Sequence, residues 1–522
     1  MASANQFLAR FGFREDPFEH VDAEQEPQLD EYFVPPPYFA NVMGDARYPR
    51  SHLILAPRGG GKTAQRRMIE AESERAGNFL CVSYDAFDQP SGFGSDDADL
   101  AYHLNQICRR VLVGVLVQLD LDPELSKSVS EHQRQLLKFQ IDRFLGSLTE
   151  VEMRKAVGSL KNFGDMSREF VAKYAGPLKA FASVLMSKIG IDNIQVPAQM
   201  LEEAKRDEAL GYHFENLLEI AKAIGFQSTY ILVDRVDEMP ITDTAGKTFA
   251  FIWPVLADLH TLEAPGVAFK LFLWDEIAAA IDESNFRRDR IEIERLKWSQ
   301  AELSDMLAKR LETYSEGAVT SVNQMVQVGS GFDVHALISY FAHGSPRDMY
   351  RLARGIVAEQ TRTSDDADRI NAEAVWAGIR RFSEVRASEL MSQAYIDELR
   401  RIGAPTFTNA HIASNVFRIH ENNARRKIQL WEGTGLVKKI DEIPTPGTRP
   451  RYLYGVVDPR LAIAILPTTE VDLILDTQIL LCSACGEVCI TDEAVVTCIG
   501  CSTRTGVDRA QSLLDGVSFR RP

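Results

Sequence analysis

Eight residues that follow a short apolar segment have the composition of a phosphate-binding loop. They run from Ala56 to Thr63 as APRGGGKT and fit the pattern G-x-x-x-x-G-K-[ST], except that Ala56 stands where the first glycine usually lies. Small residues let successive backbone N–H groups turn inward around a phosphate, a lysine neutralises the phosphate oxygens, and a hydroxyl holds magnesium. Because alanine has the smallest side chain after glycine, we expect it to be tolerated there.

The loop provides a specific set of candidate contacts to ATP. Lys62 is the candidate catalytic lysine, and Thr63 is a candidate Mg²⁺ ligand. A helix that begins at Lys62 would add the positive end of its dipole to the site. The residues predicted to bind the nucleotide are Pro57, Arg58, Gly59, Gly60, Gly61, Lys62 and Thr63. A glycine-rich turn without a ligand is the alternative, but the position between a predicted strand and a predicted helix favours the nucleotide site.

Three carboxylates follow a second apolar segment, Thr229–Val233, within five residues. Ligands gather at the carboxyl ends of parallel strands, so we expect Asp234 to face the loop and hold Mg²⁺ through water. Asp237 or Glu238 is the candidate catalytic residue that polarises the water attacking the γ-phosphate. Alone, this cluster also fits a solvated acidic loop. The P-loop upstream favours a shared site for ATP and magnesium.

Four cysteines near the end of the chain have the spacing C-x₂-C-x₁₂-C-x₂-C, which is typical of a zinc ribbon. They are Cys482, Cys485, Cys498 and Cys501. Each pair supplies two thiolates, and two pairs complete a closed tetrahedron for structural Zn²⁺. A zinc ion with four protein ligands has no open position, so it would fold the ribbon rather than catalyse. A redox role is the alternative, and Cys489 lies off the spacing.

Alternating strands and helices must position these residues. Short apolar segments predict buried strands at His52–Leu55, Phe79–Tyr84, Thr229–Asp234 and Val267–Trp274. Between the second and third of these, residues from about 99 to 223 have a helical pattern almost throughout. The order predicts an α/β fold, in which a parallel-sheet P-loop core carries a long α-helical insertion and is followed by an α-helical lid.

The length of 522 residues exceeds what one hydrophobic core usually supports. We therefore predict a lead-in over 1–50, the P-loop core over 51–280 with its insertion, and the helical lid over 281–384. A winged helix is predicted over 385–470, and the zinc ribbon and tail over 471–522.

The predicted winged helix is inferred from the order helix, turn, helix and hairpin. Thr408 or Asn409 is the candidate cap of its first helix. Residues at the start of its second helix would meet a DNA major groove, namely Asn422, Asn423, Arg425, Arg426 and Lys427. From 385 to 460 the segment has twelve basic and eight acidic residues, whereas the whole chain has a net charge of −16. Packing against protein is the alternative, and both stay open.

Together these motifs resemble those of AAA+ ATPases of the origin-recognition type and of the related STAND signalling ATPases. The resemblance runs from about Pro17 to about Arg354 and depends mainly on the P-loop and the DxxDE pattern at Asp234. It implies Mg²⁺-dependent hydrolysis of ATP. It also implies that Arg347, within Gly-Ser-Pro-Arg, is the lid sensor that touches the γ-phosphate.

The resemblance also includes a turn rich in arginine, but the residues at the end of one predicted strand differ from those of the family. One of Arg287, Arg288 and Arg290 is by resemblance a candidate arginine finger that reaches a neighbouring subunit, with a solvated basic turn as the alternative. Trp274 and Asp275 stand where these ATPases carry a polar sensor. This departure removes the expected sensor that positions water, so we expect slow turnover.

The favoured function is a molecular switch that binds and hydrolyses ATP and couples nucleotide state to partner binding or assembly. The candidate partners are an unknown protein, double-stranded DNA and further copies of the chain. A DNA-binding ATPase regulator of the origin-recognition or transposition type, and a non-enzymatic scaffold stabilised by ATP, are the alternatives. No apolar run is long enough for a signal peptide or a membrane span, so we expect a cytoplasmic protein without membrane contact.

Overall fold

The structure is a computed structural model that describes residues 2–145, 186–187, 194–195, 210–327, 333–364, 366–443, 451–466, 479–484, 488–490, 495–498, 501–506 and 511–512. The chain divides into two compact units. The sheet unit is Phe33–Lys297, and the second unit combines Met1–Tyr32 with Trp298–Pro522. This division is coarser than the five predicted segments, whose boundaries stay predictions. No described helix is long and apolar enough to cross a membrane.

The described α-helices follow one another along both units. In chain order they are α1 (Ala2–Ala9), α2 (Leu29–Tyr32), α3 (Phe39–Met43), α4 (Lys62–Ala76), α5 (Leu100–Leu121), α6 (Glu131–Phe144), α7 (Leu210–Ala223), α8 (Ala245–Ala257), α9 (Leu259–Leu262), α10 (Ala278–Glu283), α11 (Gln300–Tyr314), α12 (Val334–Phe341), α13 (Pro346–Thr363), α14 (Ala372–Leu390), α15 (Gln393–Ile402), α16 (Asn409–His411), α17 (Glu421–Glu432) and α18 (Pro459–Ile465). A π-helical turn over Ile412–Val416 follows α16.

The described strands form one parallel sheet and three small antiparallel ones. They are β1 (His52–Ala56), β2 (Phe79–Tyr84), β3 (Ser228–Val233), β4 (Val267–Trp274), β5 (Glu292–Arg295), β6 (Thr406–Thr408), β7 (Val437–Ile443), β8 (Arg451–Val456), β9 (Ile479–Leu481), β10 (Val488–Ile490), β11 (Val495–Thr497), β12 (Arg504–Gly506) and β13 (Gln511–Ser512).

The parallel sheet confirms the predicted α/β core. Its five strands have the order β2-β3-β4-β1-β5, and all neighbouring pairs are parallel. The register pairs Ala56 with Trp274 across β1 and β4, and Val233 with Leu271 across β3 and β4. The residues that follow β1, β3 and β4 therefore emerge at the same edge of the sheet, where ligands bind in such folds.

Apolar side chains cover both faces of this sheet, as expected for a parallel sheet. On one face Leu232 and Phe272 pack in a cluster with Ile69 of α4. On the other face Ile231 and Leu271 belong to a larger cluster that includes residues of α5, α7 and α8. Alternate residues of one strand thus point to opposite layers, which fixes the register of the strands and the position of their ends.

The helical insertion is confirmed at its two ends. Helix α5 begins after Asp99, whose carboxylate accepts the N–H of Tyr102, and α7 ends at Ala223. Most of the intervening residues from 146 to 209 lie outside the described ranges. The edge strand β5 was not predicted, because Glu292–Arg295 has three charged residues, a single apolar one and no buried position.

The second unit joins the start of the chain to helices far along it. The buried guanidinium of Arg310 in α11 donates to the carbonyl oxygen of His20 over 2.7 Å and to the Tyr32 hydroxyl over 2.8 Å, and it is ion-paired with Glu26. Further along, β6, β8 and β7 form an antiparallel sheet beside α17. Thr408 caps α16, as predicted, by accepting the N–H of His411.

Candidate nucleotide-binding and metal sites

The loop between β1 and α4 has a backbone that depends on glycine, as Gly60 and Gly61 show. The Gly60 N–H donates to the carbonyl oxygen of Pro57 over 3.0 Å and so closes the loop. Because of this close approach, a Cβ atom at Gly60 would lie 2.9 Å from the same oxygen. Gly61 precedes the helix with a φ of +100°, in the left-handed region that glycine adopts at low cost. The tight turn ends at the start of α4, so the first N–H groups of that helix point toward the loop.

Lys62 is buried in the first turn of α4, with 8% of its surface exposed. Its Nζ donates to the carbonyl oxygen of Ala56 over 3.1 Å and lies 4.0 Å from Asp237 Oδ1. Burial lowers the pKa of the Lys62 ammonium, and the nearby Asp237 and Asp234 carboxylates oppose this shift. The lysine therefore lies between the loop and the acidic residues that follow β3.

Thr63 and Asp234 are in direct contact. The Thr63 hydroxyl donates to Asp234 Oδ2 over 2.9 Å, and the Arg235 N–H donates to Asp234 Oδ1 over 2.9 Å. Asp234 is almost completely buried. A hydroxyl beside a carboxylate is a pair of hard oxygen donors of the kind that Mg²⁺ prefers. The residues present thus fit a magnesium ion.

Asp237 is held by an arginine of the loop itself. Arg58 Nε donates to Asp237 Oδ2 over 2.9 Å, and Arg58 Nη2 donates to the Asp237 carbonyl oxygen over 2.8 Å. The same guanidinium lies over the ring of Trp274, 4.2 Å from its centroid. Asp275 follows Trp274 in the chain. Burial raises the pKa of its carboxyl group, and the positive charge of Lys62 opposes this shift. The end of β4 thus contributes to the site through Trp274 and Asp275.

Glu238 lies in a different environment from Asp237. Its side chain is 43% exposed and pairs with Arg235 Nε over 2.6 Å. Arg235 has a φ of +61°, an unusual value for a residue other than glycine, at the turn where the chain leaves β3. Of the two candidate catalytic carboxylates, one is therefore buried against the loop and the other is near solvent.

A buried ion cluster behind Asp234 was missed by sequence reasoning. Arg66 is completely buried, and its Nε lies 3.1 Å from Asp234 Oδ2. The same guanidinium pairs with Glu70 and lies 3.8 Å from Asp85 Oδ2. The available signal is the spacing, because Arg66 and Glu70 follow Lys62 at intervals of four and lie on the same helical face.

The arginines inferred from family resemblance lie on both units. Arg347 is half-buried in the first turn of α13, and its side chain forms no ion pair or hydrogen bond with another described residue. In the sheet unit Arg287 pairs with Asp289 at 2.6 Å, and Arg290 pairs with Glu263 at 2.6 Å. Arg288 pairs with Asp282. Their roles as lid sensor and arginine finger stay predictions.

Helix α17 exposes part of the predicted DNA-binding set. Asn422, Asn423, Arg425 and Arg426 are exposed, and Arg425 lies 3.7 Å from Glu421 one turn earlier. Lys427 points elsewhere, because it pairs with Glu398 and lies over the ring of Phe417. The exposed set is therefore smaller than the predicted one.

Three of the four predicted zinc ligands converge. The sulfur atoms of Cys482, Cys498 and Cys501 all lie within 4.8 Å of one another, and Cys482 Sγ is 3.6 Å from Cys501 Sγ. Two thiolates bound to one zinc at about 2.3 Å in a tetrahedron would be about 3.8 Å apart, so the spacing fits the ion. Cys485 lies outside the described residues. The Cys501 N–H donates to Cys498 Sγ over 3.4 Å, which favours a thiolate there.

No protein-family model and no curated protein matches the chain. Solved structures from Aeropyrum pernix do match along most of its length. The ORC1 protein in complex with DNA is 13% identical, with 86% of this chain and 96% of that chain covered and a TM-score of 0.37. The ORC2 protein in its ADPNP–ADP complexes is 11% identical, with 85% and 95% covered and a TM-score of 0.39. Its ADP form is 12% identical, with a TM-score of 0.34. At these identities and TM-scores the matches assign no function to this chain.

Proposed function

We propose that the chain binds ATP with Mg²⁺, hydrolyses the ATP, and acts as a switch that couples nucleotide state to partner binding or assembly. The contact that supports this most is the hydrogen bond from the Thr63 hydroxyl to Asp234 over 2.9 Å. With Lys62 Nζ 4.0 Å from Asp237, it brings a cation, a hydroxyl and two carboxylates to one edge of the sheet. Phosphoryl transfer from ATP requires this set of groups.

Each group has a role in the proposed reaction. The N–H groups of the loop and Lys62 bind the β- and γ-phosphates. Thr63 and Asp234 would hold a magnesium ion, which would supply positive charge to neutralise the phosphate oxygens. A water oxygen attacks the γ-phosphorus, and the bond from the γ-phosphorus to the β–γ bridging oxygen breaks. Asp237 or Glu238 accepts the water proton, so the products are ADP, phosphate and a proton.

Calorimetric titration of ATP into the full chain tests nucleotide binding. Lys62→Ala should weaken ATP binding by about 10- to 100-fold, since a hydrogen bond to a charged group contributes about 1.5–3 kcal/mol. Lys247→Ala is the matched control, because Lys247 is an exposed lysine of the same unit whose ammonium pairs with Asp243 on the surface. Equal ATP affinity in Lys62→Ala and in the unchanged chain would reject the proposal.

Phosphate release under single-turnover conditions tests hydrolysis separately. Glu238→Gln and Asp237→Asn each preserve shape and remove a charge. Loss of turnover with retained ATP binding in one of them identifies the residue that accepts the proton. A chain that binds ATP tightly but shows no turnover above its Lys62→Ala variant would instead favour the scaffold.

Double-stranded DNA is a second candidate partner, and the exposed part of α17 favours it. Asn422, Asn423, Arg425 and Arg426 lie in the first half of that helix, where a recognition helix contacts base edges and phosphates. Binding to duplex DNA should weaken with rising salt. Neutralising Arg425 and Arg426 should reduce the slope of log affinity against log salt concentration by about two counterions. Arg75→Gln, an exposed arginine on α4, should leave the slope unchanged. If no duplex binding is detected at low salt, the exposed part of α17 would instead bind a protein partner.

A further inference from the structure

Arg58 occupies a position that the general P-loop chemistry does not explain. It lies inside the glycine loop, yet its guanidinium is directed at Asp237, with contacts of 2.9 Å to the carboxylate and 2.8 Å to the carbonyl oxygen. Its other contact is the face of Trp274 at 4.2 Å. We call the group formed by Arg58, Asp237 and Trp274 the Arg58 latch.

The three members of the latch differ sharply in exposure. The Arg58 side chain is 49% exposed, whereas Asp237 is almost completely buried. Trp274 is half-buried at the end of β4. Ion pairs and cation–π contacts of a half-exposed arginine are weak, because water competes for the guanidinium. Because its guanidinium is near water, Arg58 has room to move away from Asp237, while Asp237 is fixed by its position in the turn after β3.

A bound triphosphate would compete directly for this arginine. Phosphate oxygens accept two parallel hydrogen bonds from a guanidinium, as a carboxylate does, and a γ-phosphate carries more charge than one carboxylate. Lys62, which lies 4.0 Å from Asp237, is expected to turn to the same phosphates. Both cations that face Asp237 in this structure would then contact the nucleotide instead.

We infer that the Arg58 latch is a γ-phosphate sensor: ATP draws Arg58 away from Asp237 and Trp274, and this frees the Asp237 carboxylate to accept a proton from water. The inference rests on the proposed function and adds regulation of the same site. ADP has no γ-phosphate, so Arg58 stays on Asp237 in the ADP state. The latch stands at the end of β4, where the Arg58 guanidinium lies over Trp274.

Two measurements on the full chain test the latch. The first is the affinity for ATP and for ADP, titrated separately. Arg58→Gln should weaken ATP binding about tenfold, as expected for the loss of one charge-assisted hydrogen bond from a half-exposed group, and should leave ADP binding unchanged. Arg58→Lys keeps the charge but not the planar fork, so it should recover only part of the loss.

The second measurement is stopped-flow tryptophan fluorescence. A guanidinium over the Trp274 ring should alter its emission, so ATP should change the signal and ADP should not. Trp274→Phe and Arg58→Gln should abolish the change. Trp253→Phe is the matched control that keeps it, since Trp253 lies in α8 and stacks on Phe249. Asp237→Asn should shift the nucleotide-free emission toward the ATP-bound value.

The outcomes separate failure of the latch from failure of the proposed function. An unchanged chain that binds neither nucleotide rejects both. If the unchanged chain binds ATP and Arg58→Gln weakens the affinities for ATP and ADP equally, Arg58 only shapes the loop. That result overturns the latch. Unaltered affinities in that variant overturn it too, as does an ATP-induced signal that persists in Trp274→Phe.

Discussion

Replacing Arg66 by methionine should destabilise the sheet unit by about 3–5 kcal/mol. The Arg66 side chain is fully buried, and its guanidinium lies 3.1 Å from Asp234, is paired with Glu70 and lies 3.8 Å from Asp85. Methionine keeps the unbranched stem but removes the charge, which leaves carboxylates that are at most 9% exposed without their cation. Removing one partner of a buried ion pair costs about 3–5 kcal/mol.

The assay has to report on the sheet unit alone, because a chain with two compact units need not unfold in one step. Hydrogen–deuterium exchange of peptides that cover β4, the central strand of the sheet, measures the free energy of opening in that unit. A loss of 3–5 kcal/mol corresponds to exchange that is faster by roughly two to three and a half orders of magnitude. The measurement is made without nucleotide, so it does not depend on ATP binding.

Two further variants make the result interpretable. Arg75→Met removes an arginine from the same helix whose side chain is 79% exposed and pairs with Glu72, so it should cost less than about 0.5 kcal/mol. Glu70→Gln should be destabilising in the unchanged chain but should restore stability in Arg66→Met, because it removes one uncompensated charge. A loss below about 1 kcal/mol in Arg66→Met would refute the reasoning, since the cluster would then be accessible to water.

Two other predictions concern a buried lysine and the cysteine cluster. Lys270 is fully buried, and burial lowers its pKa to about 7 from 10.5, so between these pH values the unfolded chain holds a proton that the folded chain has lost. Stability should therefore rise with pH across this range, by at most about 5 kcal/mol, and exchange of β4 peptides in Lys270→Met should show a flatter pH dependence. Elemental analysis should find one zinc per chain that Cys498→Ser loses and that Cys108→Ala, in α5 of the sheet unit, retains. If peptides of the predicted zinc ribbon stay protected from hydrogen–deuterium exchange in the metal-free chain, the zinc assignment is contradicted.

Patterns of short range were sufficient to predict the strands and the loop of the sheet unit. The apolar segments ending at Ala56, Val233 and Trp274 are strands buried on both faces, so their identity depends on hydrophobicity alone. The glycines before Lys62 encode a turn that few other residues can form. Parallel pairing then brings the strand ends together whatever the intervening sequence, including the long helical insertion.

Contacts that depend on the direction of a charged side chain could not be read from the sequence. Arg66 and Arg75 lie on the same helix, yet one is buried among carboxylates and the other is exposed, and composition does not distinguish them. The lead-in shows the same limit at longer range, because Glu26 pairs with Arg310 across 284 residues. The edge strand β5 was missed because a half-exposed strand carries charges that resemble those of a loop.

Arg66 and Arg58 divide the proposed nucleotide site into a fixed half and a responsive half. Arg66 holds Asp234 from behind, completely out of water, and breaking that contact would cost several kcal/mol. Arg58 holds Asp237 from the solvent side with a half-exposed guanidinium, so a triphosphate can take over this contact without burying a new charge. Hydrolysis of ATP removes the γ-phosphate and its negative charge. This change in local charge can move the contact between Arg58 and Asp237 but not the contact between Arg66 and Asp234. The residues proposed to hold magnesium should therefore keep their positions through the cycle, and any motion that begins in the sheet unit should begin at Arg58.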